Sequence, residues 1–106
     1  MKTAIPIAIG LAILSLSISS LAGDIKAGAS VARSCIMCHG ENGLSSMAGT
    51  PSIAGQPEVY LARQLRDFRD GKRRNEVMSI MAQLSDADID DVAAYFAQFE
   101  LELKKR

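Results

Sequence analysis

The chain has 106 residues, and its 12 lysines and arginines balance 12 aspartates and glutamates. That describes one small domain without the cationic excess that general nucleic-acid binding requires. A domain this short buries little apolar surface and calls for a staple.

Lys2 followed by an uncharged apolar run from Ala4 to Ile18 has the form of an export leader. Small residues at Ser20 and Ala22 sit where a signal peptidase reads, so the expected cut is between Ala22 and Gly23. The run is shorter than the ~20 residues that span a bilayer, which favours removal over retention as an anchor. Residues 1–22 are thus read as leader and 23–106 as the folded domain. The domain's 84 residues, having lost Lys2, carry a formal charge of −1.

Asp24 is placed to cap a first helix, with Ile25, Ala29, Ala32 and Ile36 as its expected inner stripe. Gly28 costs that helix about 1 kcal/mol relative to alanine, which is useful only if another helix crosses closely. The helix runs into Cys35-Ile36-Met37-Cys38-His39 and stops at Gly40.

That pentapeptide is the attachment pattern of a c-type haem. Each thiol adds across one porphyrin vinyl group, and the turn that carries them delivers the histidine to the iron. Cys35 and Cys38 are the chain's two cysteines, and His39 is its one histidine. A zinc site wants about four ligands, and a dithiol redox pair wants a βαβ setting. Neither requirement is met in this chain. Thioether attachment takes place outside the cytoplasm, in agreement with a leader. The expected cofactor is therefore one covalent haem c, which supplies the staple.

Residues 40–56 are rich in Gly, Ser and Pro and show no period, so they are expected to form an ordered loop held by the haem edge. Within it Pro51 is either a plain turn residue or the carbonyl that receives the second ring nitrogen of His39. Pro57 suits the start of a second helix with Val59, Leu61, Leu65 and Phe68 inward, closed by Gly71. The face rich in Arg63, Arg66, Arg69, Lys72, Arg73 and Arg74 is either solvated or a docking surface for an acidic partner. Ser85 and Asp88 resemble a capping box for the last helix, whose inward residues are Ile89, Val92, Ala93 and Phe96, extending to Phe99 or Leu103. The expected fold is all-α, with three main helices plus short turns.

An electron-carrying haem needs a second axial ligand, and thioether sulfur favours ferrous iron. Met1 leaves with the leader, Met37 lies inside the attachment motif, and Met47 follows His39 too closely to reach the far face. Met78 and Met81 remain, either of them able to serve as ligand and the other as core filler.

Taken in order, CIMCHGENG, PSIAGQPEVYLARQLRDFRDGKR, the MxxM of Met78 and Met81, and LSDADIDDVAAYF resemble the small class I cytochromes c of bacteria. The nearest likeness is to the cytochrome c553 group and to a single haem domain of the dihaem cytochromes c4. The resemblance covers essentially the whole of 23–106. It implies the cytochrome c fold, with Gly28 at a crossing of the first and last helices against Tyr95-Phe96. It implies Cys35 and Cys38 as thioether residues, His39 and Met78 as axial ligands, and Pro51 as the carbonyl partner of His39. The stretch from Met78 to Leu84 is a residue shorter than the family's usual spacing, which keeps Met81 as the fallback. The implied function is a soluble periplasmic one-electron carrier rather than an enzyme. Its implied partners are redox proteins such as membrane cytochrome complexes, terminal oxidases or periplasmic reductases. The rival functions are a haem subunit of a larger oxidoreductase and an open-site haem sensor or enzyme.

Overall fold

A computed structural model describes residues 2–15 and 22–100. The expected leader lies partly outside this range. Residues 2–15 have no regular secondary structure, and their isoleucines and leucines are exposed. Among the described residues there is no strand, and no helix is long and apolar enough to cross a membrane.

The described residues from 22 on form five α-helical segments: α1 (Ile25–Val31), α2 (Ile36–His39), α3 (Glu58–Arg69), α4 (Glu76–Met81) and α5 (Asp86–Ala97). A 3-10 turn at Ala32–Ser34 joins α1 to α2, so the first helix runs in three pieces into the Cys35–His39 turn. Local capping sets several of these starts. The Asp24 carboxylate accepts from the N–H groups of Lys26 and Ala27. Asn75 does the same for Val77 and Met78 at α4, and the Ser85 hydroxyl accepts from the Asp88 N–H at α5. Each cap satisfies donors that the first turn leaves without a helical partner.

The core forms where α5 packs on α1 and α3. Ile89, Val92, Ala93 and Phe96 of α5 are buried with Ala32, Leu61 and Ala62. The inward face of α5 is the one its periodicity predicts; Leu103 lies outside the described residues.

The inward face of α1 differs from expectation. Ile25 is 46% exposed and Ala29 is exposed, whereas Gly28 and Ala32 are buried. The reason is proximity. A Cβ at Gly28 would overlap the Asp91 carbonyl oxygen and lie 2.9 Å from Tyr95 Cβ, so the helices cross almost backbone to backbone. The crossing therefore centres on Asp91 and Tyr95 of α5. Val59 is likewise 75% exposed, its expected inward place on α3 taken by Ala62.

The loop after α2, expected to be held by the haem edge, also has anchors of its own. Ile53 and Ala54 both donate backbone N–H groups to the Gly43 carbonyl, and Gly55 donates to Phe96 of α5. Ala54 is buried. These bonds return the chain to α5 before α3 begins.

Candidate haem site

The site begins with a short helical turn that three side chains share. The His39 N–H bonds to the Cys35 carbonyl at 2.9 Å, so Cys35 and His39 stand one turn apart with Cys38 beside them. Gly40 ends the turn at φ +86°, a left-handed conformation that glycine adopts without a Cβ penalty. His39 is buried, Cys35 is half-buried, and Cys38 is exposed. Both thiols are free.

His39 Nδ1 lies 2.8 Å from the carbonyl oxygen of Pro51. A carbonyl only accepts, so this contact puts the proton on Nδ1 and leaves the lone pair of a neutral imidazole on Nε2. The histidine is thereby oriented as a metal ligand by a second-shell bond. Burial pushes the Cys35 thiol above its ordinary pKa. A hydrogen bond with Ser34 offsets part of that rise, and the nearby Cys38 adds to it. A reactive dithiol needs the opposite, a depressed thiol pKa.

The two distal candidates sit on α4. Met78 is half-buried and Met81 is 37% exposed, while Met37 and Met47 are 80% and 50% exposed. α4 buries no residue of its own, and Val77 and Ile80 stand 60% and 73% exposed. Such a short apolar helix suits a flat apolar group lying against it. The donor set fits a haem: two free thiols, an imidazole with its tautomer set, and two thioethers on an apolar helix.

Two residues outside the motif brace α4, and sequence reasoning missed both. Arg69 Nη1 donates to the Leu84 carbonyl at 3.2 Å and to Asp86 Oδ1 at 2.8 Å. Gln83 Nε2 donates to the carbonyls of Ser79 at 2.9 Å and Arg69 at 3.3 Å. No local pattern marks these bonds, because each depends on how α3 lies against the 79–86 segment. The Asn75 cap of α4 was readable from an asparagine just before Glu76.

The arginine-rich face is smaller than its sequence suggests. Arg66 pairs with Asp90 at 2.8 Å, and Arg69 pairs with Asp70 and Asp86. Arg73 lies over the Phe68 ring and bonds to Gln64. Arg63, Lys72 and Arg74 have no ion-pair partner among the described residues.

An all-α domain with its two thiols and one oriented imidazole on a single turn is the build of a c-type cytochrome. Residues 25–100 match the family model for cytochrome c, and the chain belongs to that family. It is 44% identical over 89 residues to cytochrome c4 of Pseudomonas aeruginosa, covering 80% of this chain and 44% of that protein. It is 51% identical over 71 residues to the thiosulfate dehydrogenase electron acceptor of Thiomonas intermedia, covering 65% of this chain and 33% of that one. The cytochrome c4 structure from Acidithiobacillus ferrooxidans superposes with a TM-score of 0.68 at 29% identity, covering 76% of this chain and 53% of that chain. The chain thus spans between a third and about half of the length of the relatives named here. Its fold is the all-α cytochrome c fold, and its cofactor is covalently bound haem c.

Proposed function

We propose that the chain is a periplasmic monohaem electron carrier, exported by residues 1–22 and working as residues 23–106. It transforms no substrate. In this reading Cys35 and Cys38 hold the haem by thioether bonds, His39 Nε2 binds the iron, and Met78 is the second axial ligand. The observation that carries it is the His39–Pro51 bond at 2.8 Å on the same turn as two free thiols. Bound there, the haem supplies an iron(III)/iron(II) couple. The Pro51 carbonyl holds the imidazole plane and raises its basicity as a ligand. A Met78 thioether bound to the iron would exclude water from it and favour the reduced state. On the arginine-rich face Arg63, Lys72 and Arg74, which have no ion-pair partner among the described residues, are available to steer an acidic redox partner.

A second reading, a haem subunit within a larger oxidoreductase, is supported by the 51% identity to a protein named as the electron acceptor of thiosulfate dehydrogenase. The two readings share the same closed iron and differ in whether the chain leaves its partner between transfers.

The test is optical spectroscopy of the holoprotein secreted from a host with c-type maturation machinery. The oxidised protein should show the weak methionine-to-iron charge-transfer band, and carbon monoxide should leave the reduced spectrum unchanged. Met78→Ala should abolish the band and admit carbon monoxide while the haem stays attached. Loss of the band in Met81→Ala alone would move the ligand to Met81. Immediate carbon monoxide binding by the unmodified protein would overturn the carrier reading in favour of a sensor or enzyme.

A further inference from the structure

Gly23 occupies a slot that only a glycine fits. A Cβ there would overlap the Asp90 carbonyl oxygen and lie 2.6 Å from the Asp91 nitrogen, both on the α5 backbone. Its own nitrogen donates to Glu58 Oε1 at 2.8 Å, a bond that spans 35 positions of the chain. The next nitrogen, that of Asp24, donates to Asp91 Oδ1 at 2.8 Å. The chain is therefore held on α3 and α5 at residues 23 and 24, directly after the expected cut.

We propose that removal of the leader at Ala22–Gly23 creates an ammonium group that locks onto Glu58, so that export processing itself strengthens the fold. This rests on the cleavage reading given above and extends it. Hydrolysis by a signal peptidase consumes one water and leaves a carboxylate on Ala22. The nitrogen of Gly23 becomes a primary amine, protonated at neutral pH. A neutral peptide donor facing a carboxylate is thereby replaced by a cation facing the same carboxylate. The carboxylate already makes this bond charge-assisted before cleavage; the ammonium adds the direct attraction of a full positive charge.

The surroundings favour the cation. Glu58 of α3 faces the Gly23 nitrogen, Asp91 of α5 accepts from the Asp24 nitrogen, and the Asp24 carboxylate caps α1, while Asp90 offers Gly23 its backbone carbonyl. Arg63 and Arg66 of α3 line the adjoining cleft with Glu58 and Asp90, and Arg66 is already paired with Asp90. The new amine then titrates above the ordinary α-amino value of about 7.7. A cation whose pKa is raised on folding lends stability that is full below that value and is lost as pH climbs through the folded one.

The experiment compares four secreted holoproteins by mass spectrometry and by thermal melting between neutral and alkaline pH. They are the unmodified protein, Glu58→Gln, a variant whose cut is moved upstream so that Ser20-Leu21-Ala22 stay ahead of Gly23, and that extended variant carrying Glu58→Gln. The unmodified protein should begin at Gly23 and melt about 4 °C above Glu58→Gln at neutral pH. That difference should shrink as the amine deprotonates. The extended variant keeps the peptide donor without the charge and should show no such pH-dependent difference when Glu58→Gln is added to it. A start elsewhere than Gly23 would overturn the cleavage reading. A Gly23 start with the same pH profile in the unmodified protein and Glu58→Gln would overturn the lock alone.

Discussion

Replacing Gly28 by alanine tests the helix crossing on which the fold rests. The added methyl would come within 2.6 Å of the Asp91 carbonyl carbon and 2.9 Å of Tyr95 Cβ, against an ordinary contact of 3.4 Å or more. Two of these obstacles, the carbonyl oxygen and carbon of Asp91, are backbone atoms that no rotamer change removes. Relief requires α1 to lift from α5, opening the seam that buries Ala32 against Val92 and Phe96. The local effect has the opposite sign, since alanine improves helix propensity by about 1 kcal/mol over glycine. Overpacking a close-packed seam costs about 1–3 kcal/mol, and rigid backbone on the far side puts this site at or above the upper end. The net expectation is a loss of about 2 kcal/mol. For a domain of this size that lowers Tm by roughly 10 °C. Thermal melting of the holoprotein by far-ultraviolet circular dichroism reads it directly. A Tm unchanged or raised would show that propensity outweighs the clash and that the helices do not approach so closely in solution.

Removing both thiols, in Cys35→Ala/Cys38→Ala, should abolish covalent haem and reduce the yield of folded protein. A double variant that retains haem through denaturing electrophoresis would defeat the attachment assignment. Arg69→Met removes the donor to Leu84 and Asp86, so α4 should loosen. The expected sign is faster amide exchange at Met78–Gln83 and a weaker charge-transfer band, and unchanged exchange there would refute the bracing role. The Arg69 guanidinium holds the Asp86 carboxyl below its ordinary value of 3.8. A carboxyl with a depressed folded pKa lends stability that is present above its unfolded pKa and lost as pH falls through the folded one. Acid titration should therefore destabilise the unmodified protein more steeply below about pH 4 than Asp86→Asn, and superimposable acid melts would refute the pairing.

Much of this protein is written in runs shorter than two helical turns. The spacing of Cys35, Cys38 and His39 is dictated by the porphyrin they attach to, so the motif is legible with no knowledge of the fold. The caps at Asp24, Asn75 and Ser85 are local hydrogen bonds between a side chain and the next few N–H groups. The inward face of α5 follows from a clear period because that helix is covered by both α1 and α3. What the tertiary structure alone decided lies between segments. α1 turns Gly28 inward and leaves Ile25 exposed, because close approach to the α5 backbone outweighs burial of one more isoleucine. Arg66 and Arg69 read as free surface charge until α5 brings Asp86 and Asp90 to them. Gly23 reads as a residue beside a cleavage site until Glu58 and the α5 backbone close around it. Each of these outcomes depends on where two helices cross, and the period of a single helix carries no information about the crossing point.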